Sequence, residues 1–564
     1  MIFETKESKL LIQGGNSQED YGSSLSDKLI VSILCLVFLS FALAVGIISS
    51  KPFTWPFNWD SLRDIGIAQT ILDGTYPMDP ILSGEVNWYN PLTGAIIALW
   101  SYILQLPLPE TCIRIGPFLQ LLLPITMVLL AWNRFGPWSG FFILTYSLFA
   151  RHPLLLPEWF YSCYSPWLLA PQWGKSFLFL MMLTFLIFIE KRRTRYALFT
   201  GVLLGIGFLV HTAVLIEGSL FILVYSFVII WQNYKNSDIK TWYVFAFRIF
   251  WIFLLALIVS SPYWIPIFFR YQFIIRNPYP SLYVTSALEW KHLPITLQRN
   301  LNGFTVIGVV SIIFLFIHWR DEKIRWLKIW TGVVLLLVLQ QFACHFLFYY
   351  GYTFPSFIPP HHTFMSIHAL IGFWFIYGVA QIANRIVNLF KYVSNNRWLY
   401  KGVYIFSLSL IFLICINTVP KPIPPLHEIY RGREANRLIY EVSKYDGAYR
   451  WILHHTSTYD TFLSDERTAV WVLLPSARKL FYIMMFYMNP YVDMQLEYSL
   501  YDLMWKALSE ERFSDFISLC IENHVKYVLV PIKDEKKRLL DRLTRLSTCY
   551  HDNEVVIYKL NYSR

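Results

Sequence analysis

For most of its length the chain repeats one pattern: a long apolar run, a short polar break, then another apolar run. Leu29 to Ser49 holds 21 residues without a charge. A membrane-crossing helix needs roughly 20, so this segment predicts a first span. Runs at 114–132, 138–150, 176–190, 197–213, 214–232, 246–266, 303–319, 329–350, 366–384 and 403–419 predict the others, about eleven in all. The continuous stretch 197–232 divides at a turn near His211 and Thr212. Pro91 to Leu106 is apolar but, at about 16 residues, short for a crossing. It predicts an interfacial or re-entrant helix inside a long loop.

With that segment kept out of the spans, the charges sort by side. Breaks 133–137, 191–195, 233–243, 320–328 and 385–401 carry 15 Lys and Arg in 47 residues. Segments 51–113, 151–175, 267–302 and 351–365 carry 8 in 139 residues. Basic loops stay in the cytoplasm. The asymmetry therefore predicts a cytoplasmic N-terminal segment at 1–28, a transmembrane domain at 29–419 and long outer loops at 51–113, 151–175 and 267–302. Residues 1–28 lack the apolar core and cleavage site of a signal peptide.

Composition agrees. The chain is 55% hydrophobic and 15% charged, against about 25% charged in soluble domains. That excludes an ordinary soluble enzyme and a disordered chain. The net charge of +11 is accounted for by cytoplasmic loops and implies no nucleic-acid partner. The seven cysteines form no CxxC pair, so no zinc site follows from them.

From Pro420 the pattern changes to dense, balanced charges with short strand-like runs, Tyr527–Val530 and Val555–Tyr558, between helical patterns at 498–522 and 533–546. This predicts an α/β domain over 420–564, outside the membrane and tethered by the proline-rich linker 420–425. Cys520 and Cys549 both lie in it, as a disulfide of an oxidising compartment or as two core thiols.

Long loops in membrane proteins tend to be functional. The first carries Trp59-Asp60-Ser61-Leu62-Arg63-Asp64 directly after the first span, and Trp88-Tyr89 further on. In a helix, Asp60, Arg63 and Asp64 share a face. They form either a surface ion pair or a base beside a phosphate clamp. The aromatic rings suit sugar faces, although Trp and Tyr also anchor membrane interfaces. Arg270, Arg276, Lys291 and Arg299 make 267–302 the most basic outer segment, a match for a lipid phosphate or for ordinary headgroups. His361 and His362 precede the tenth span as candidate phosphate contacts, metal ligands or interfacial histidines. His211 and Glu217 lie at membrane depth close to the outer surface, where an ionisable group is a functional candidate. No Gly-rich phosphate loop, nucleophile elbow or zincin motif occurs in the sequence.

On these residues the chain resembles the GT-C superfamily of membrane glycosyltransferases, which includes protein O-mannosyltransferases, lipid A aminoarabinose transferases and oligosaccharyltransferase catalytic subunits. Asp60-Ser61-Leu62-Arg63 is similar to the family's Asp-Glu-x-Arg form, with Ser61 where the second carboxylate would stand, and 91–106 corresponds to its juxtamembrane helix. The segment 151–175, with Glu158, resembles the second acidic loop. The resemblance implies a polytopic α-helical membrane protein with an extracytoplasmic α/β domain, and with no organelle signal in the sequence the expected location is the plasma (inner) membrane. It would move a sugar from a polyprenyl-phosphate donor to a hydroxyl of a glycan, lipid or protein, with inversion. Asp60 or Asp64 would serve as base, and Arg63 or an arginine of 267–302 would meet the leaving phosphate. Glu158, Trp88, Tyr89, Arg270, Arg276, His361 and His362 would line the substrate site. No cofactor is required, though a divalent ion (magnesium or manganese) between Asp60 and Glu158 is admitted. The other open classes are a transporter or flippase of lipid-linked glycans and a non-catalytic envelope scaffold.

Overall fold

The computed structural model describes residues 25–56, 58–149, 164–233, 239–277, 306–352, 360–391, 402–403, 405–407, 409–410, 442–483 and 487–561. Helix α1 is Leu25–Ser50, and its apolar surface is largely exposed, as a lipid-facing helix requires. Then come α2 (Trp59–Leu72), α3 (Leu92–Leu104), α4 (Leu108–Gln120), α5 (Leu122–Phe135), α6 (Pro137–Phe149), α7 (Ala170–Lys191), α8 (Thr194–Val210) and α9 (Thr212–Asn233). After them lie α10 (Ile239–Val259), α11 (Ser261–Tyr271), α12 (Val306–Ile317), α13 (Arg325–Tyr349) and α14 (Pro360–Lys391).

Among the described residues seven helices are long and apolar enough to cross a membrane, against the eleven spans expected. The protein is a multi-pass membrane protein. The shortfall has local causes. Thr194–Val210 and Ile307–Ile317 are apolar but shorter than a span, α6 has 13 residues, and most of 403–419 lies outside the described residues. The span expected at 114–132 begins earlier and is interrupted at Leu121. Pro124 there supplies no N–H, and its ring clashes with the carbonyl four residues back. The division of 197–232 is as the sequence predicts: α8 stops where His211 adopts an extended backbone, and α9 starts at the next residue. The 91–106 segment forms only the 13-residue α3. Leu99, Trp100, Tyr102, Ile103 and Leu104 are exposed on it, an apolar face suited to a membrane interface.

The C-terminal region builds a five-stranded mixed sheet, with β1 (Thr461–Ser464), β2 (Lys479–Leu480), β3 (Val525–Pro531), β4 (Leu546–His551) and β5 (Val555–Leu560) in the order β2-β1-β3-β5-β4. Strand β1 runs parallel to β2 and β3, whereas β5 is antiparallel to β3 and β4. Side chains alternate across a strand, so the sheet has two apolar faces. Val528, Val530, Val556 and Tyr558 pack on Met504, Leu508, Phe516 and Cys520 of α15 (Gln495–Ser509) and α16 (Phe513–Glu522). Tyr527, Leu529 and Ile557 join a second core with Trp55, Leu62, Ile65 and Ala68. The expected helix 498–522 is thus two helices, separated where Glu511 takes a left-handed φ of 57°. Of 533–546 only Glu535–Leu540 is helical. Cys520 and Cys549 are both free, one in the helix-side core and the other beside the second core.

That second core ties the sheet to the loop after α1. The Leu480 N–H donates to the Ile81 carbonyl at 2.7 Å, the Lys479 ammonium donates to the Asp79 carbonyl, and Arg478 pairs with Asp73 at 3.2 Å. Helix α2 packs against both the 474 backbone and helix α3. A Cβ on Gly66 would come within 2.4 Å of the Leu474 carbonyl, and one on Gly94 within 2.9 Å of the Asp64 carbonyl. Glycine is what lets the backbone of 474 and helix α3 approach α2 this closely.

Candidate functional site

Helix α2 begins directly after the first span because Asn58 caps it, accepting from the Ser61 N–H at 2.7 Å. The Ser61 hydroxyl then donates to the Leu168 carbonyl at 3.0 Å and fixes the first turn against the segment before α7. Helical spacing places Asp60 and Arg63 one turn apart, with Nη1 of Arg63 3.2 Å from the Asp60 carboxylate. Nε of Arg63 lies 3.9 Å from Asp64. The guanidinium carbon sits 3.2 Å from the centre of the Tyr89 ring, a close cation–π contact.

Exposure separates the two carboxylates. The Asp60 side chain keeps 25% of its surface accessible and Asp64 keeps 1%. Neither oxygen of Asp64 has a hydrogen-bond partner among the described residues, nor do Nε and Nη2 of Arg63. Buried polar groups are normally paired, so this cluster holds unused bonding capacity of both signs. Burial pushes the Asp64 carboxyl up to about 7, against the opposing pull of Arg63. For Arg63, burial alone would favour the neutral form, but Tyr89, Asp60 and Asp64 more than offset it and hold the cation.

A stability consequence follows for Asp64. Its folded-state pKa lies above the unfolded value, so the folded protein binds the extra proton between about pH 4 and pH 7. Its stability contribution is intact below about pH 4 and is lost as pH rises through 7. Asp64→Asn is therefore expected to leave stability unchanged near pH 4 and to raise it by up to about 4 kcal/mol above pH 7. Thermal denaturation of the two proteins across that range measures the difference, and a gain that shrinks with rising pH contradicts the assignment.

From Tyr89 the cluster continues into the helical bundle. The Tyr89 ring lies 6.2 Å from His211, and His211 lies 4.4 Å from His362 near the start of α14. The loop is held there by Asn90, which donates to the Phe208 carbonyl at 2.6 Å and accepts from the Thr212 hydroxyl at 3.1 Å. Tyr263 donates to the Trp88 carbonyl at 2.9 Å. Trp88 itself packs edge-on against Tyr89.

Asp60, Arg63, Asp64, Trp88, Tyr89 and His362 thus come together. Arg270 and Arg276 do not join them. Arg270 is half exposed and pairs with Glu85 at 3.2 Å, and Arg276 has an exposed side chain. Helix α11 ends at Tyr271, and beyond it the main-chain N–H groups of Arg276 and Asn277 donate to the Pro490 carbonyl. Glu158 and the His361 side chain lie outside the described residues. Both aspartates face the Arg63 guanidinium, and no group of three or more His, Cys, Asp or Glu gathers among the described residues, which do not include Glu158.

Two further groups lie beside these residues, and of their members the sequence pattern singles out only Glu217. Trp471 and Tyr487, from the C-terminal region, stand 6.1 and 6.4 Å from Trp59. Nothing local in the sequence links positions so far apart. The second group is an ion pair beneath the histidines. Lys175 pairs with Glu217, Ser366 bonds to both at 2.7 and 2.8 Å, and the Trp330 indole donates to Glu217 at 2.7 Å. The sequence pattern ends a loop at Lys175 and puts Glu217 near the surface. In the structure α7 starts at Ala170, and both side chains are buried. Pro171, in the first turn of α7, is the residue that marks the earlier start.

No family model matches the sequence, and no curated protein sequence matches it. Solved structures do. The chain is similar to ArnT from Cupriavidus metallidurans bound to undecaprenyl phosphate, with a TM-score of 0.52 and 11% identity over 93% of this chain and 97% of that one. The same protein in the apo state gives 0.53 and 12% over the same shares. The archaeal oligosaccharyltransferase AglB from Archaeoglobus fulgidus, in complex with an inhibitory peptide and a dolichol-phosphate, gives 0.50 and 12% over 88% of this chain and 69% of that one. The chain shares the fold of these two membrane proteins. Helix α2, with its charged first turns after the first span, and the short apolar α3 are the elements on which the sequence resemblance rests.

Proposed function

We propose that the protein is a membrane glycosyltransferase of the GT-C type, moving a sugar from a polyprenyl-phosphate carrier to a hydroxyl acceptor on the extracytoplasmic face of the plasma membrane. The observation that carries this reading is the Asp60–Arg63–Asp64 cluster, a partly accessible carboxylate beside a buried guanidinium with two unpartnered nitrogens. A glycosyl phosphate needs those two functions, a base for the acceptor and a cation for the leaving group. The undecaprenyl phosphate bound to ArnT and the dolichol-phosphate bound to AglB support a lipid-phosphate donor.

The chemistry follows from the groups present. The acceptor oxygen attacks the anomeric carbon from the face opposite the phosphate and gives its proton to Asp60. The bond from the anomeric carbon to the phosphate oxygen breaks, with the electron pair going to the phosphate. The transition state has oxocarbenium character. Nε and Nη2 of Arg63 meet the growing phosphate charge, while Asp64 and Tyr89 hold the guanidinium in place. His211 and His362 lie on the bundle side of Tyr89, where the phosphate of a lipid lying among the spans would arrive. A single displacement inverts the anomeric centre.

Purified protein supplied with labelled polyprenyl-phosphate sugars and an envelope extract tests the class directly. Label is expected to leave the lipid and appear on an acceptor with inverted configuration. Retained configuration would replace the single displacement with a covalent intermediate, and no transfer from any donor would end the glycosyltransferase reading.

A further inference from the structure

Tyr487 is buried, although the segment carrying it belongs to the C-terminal region and not to the membrane bundle. Its ring packs against Trp59, the residue before Asp60. Asp60, Arg63, Tyr89 and Asp64 are all within electrostatic reach of its hydroxyl, which burial keeps protonated. The packing on Trp59 sets the phenol beside the first turn of α2, next to the cluster in which buried charges of both signs have unused bonding capacity.

The residues that follow form a strap. Asn489 is buried and donates to the Tyr271 hydroxyl at 3.1 Å and the Val86 carbonyl at 3.3 Å. The Tyr271 hydroxyl in turn donates to Glu85 at 2.7 Å and accepts from the Val86 N–H at 2.9 Å. The main-chain N–H groups of Arg276 and Asn277 donate to the Pro490 carbonyl at 3.0 and 2.9 Å. Tyr491 stacks on Tyr271 with ring centres 5.1 Å apart. Residues 487–491 are thus tied to the end of α11, to the segment after it and to the 85–89 part of the first loop. The same 85–89 segment carries Tyr89 beneath Arg63.

We propose that Tyr487 is a positioning residue for Arg63 and Asp60, and that the 487–491 strap makes the C-terminal region an obligatory part of the reaction centre. The role acts through Arg63, so it reaches both the grip on the lipid phosphate and the rate of transfer. It rests on the glycosyltransferase reading above and adds the part of the chain that completes that site.

The test compares wild type, Tyr487→Phe and Asn489→Ala as full-length protein in detergent. The readouts are undecaprenyl phosphate binding, kcat and KM for transfer, and melting temperature. Tyr487→Phe keeps the ring against Trp59 and removes only the hydroxyl. It is expected to weaken undecaprenyl phosphate binding and to lower kcat, each by about 10-fold, at an unchanged melting temperature. Asn489→Ala releases the strap from Tyr271 and is expected to give the same two losses, by about 3-fold. Wild-type binding and kcat in Tyr487→Phe would overturn the proposal. So would losses that appear only with a lowered melting temperature and vanish on cooling, since those mark a packing role. Failure of the wild type itself to bind undecaprenyl phosphate or transfer a sugar would instead overturn the underlying glycosyltransferase reading, and this proposal with it.

Discussion

Asp60→Asn is expected to lower the rate of sugar transfer by about 10²- to 10⁴-fold, while Asp64→Asn lowers it by less than about 10-fold. The two residues stand one turn apart on α2, and both face Arg63. Spacing alone cannot rank them, but accessibility does. A base must come within hydrogen-bond reach of the hydroxyl it deprotonates. Asp60 keeps 25% of its side-chain surface open, whereas Asp64 keeps 1%. The buried carboxyl also carries a proton for much of the time near neutrality, because its pKa lies at about 7. An amide at position 64 retains the shape of that neutral form, while an amide at position 60 removes the proton acceptor itself. The pair of variants therefore separates a base from a support. Steady-state kinetics with saturating donor gives the answer, and equal losses in both would move the base role to Asp64 or to the pair acting jointly. Lipid-phosphate binding should survive in Asp60→Asn, since the Arg63 guanidinium stays charged and seated on the Tyr89 ring.

Hydrophobic periodicity makes the spans legible because uncharged apolar runs of about 20 residues are rare outside membranes. It also places the break at His211, the short α3 and strands β3 and β5. It misplaces the start of α7, because a lysine looks like the polar end of a loop. A buried lysine is legible only once its partner is known, and Glu217 lies 42 residues away on another helix. The site divides along the same line. Asp60, Arg63 and Asp64 stand out because helical spacing is local. Tyr89 and the histidines stand out as residue types but not as one stack. Trp471 and Tyr487 do not stand out at all, since the core that joins the sheet to the first loop is made by contacts across the length of the chain. Net charge marks the 267–302 segment, but it does not reveal that Arg270 pairs with Glu85, 185 residues away.

Glu217→Gln is expected to cost about 3–5 kcal/mol of stability, and Lys175→Met a similar amount, whereas the double replacement Lys175→Met/Glu217→Leu costs far less than their sum. The reason is the completeness of the network. Lys175 and Glu217 have 3% and 0% of their side-chain surface exposed. Every partner is internal: Glu217 accepts from Lys175, Ser366 and Trp330, and Lys175 donates to Glu217 and Ser366. At membrane depth an ionisable group persists when it is paired. Removing one partner leaves a buried charge with nothing to answer it, and that penalty exceeds what the intact pair gains. Removing both leaves a change of packing and two unmet neutral groups, the Trp330 indole N–H and the Ser366 hydroxyl, each worth about 1–3 kcal/mol. Thermal inactivation in detergent, read as a double-mutant cycle, gives the coupling directly. The pair also bears on transfer. Glu217 lies on α9 just beyond His211, and Ser366 lies one turn after His362 on α14. A broken pair frees both helix starts, so the single variants should lose sugar transfer more steeply than stability alone predicts, and the double replacement should recover much of it. Single variants that stay as stable as wild type would mean that the helices are held by apolar packing and not by the pair.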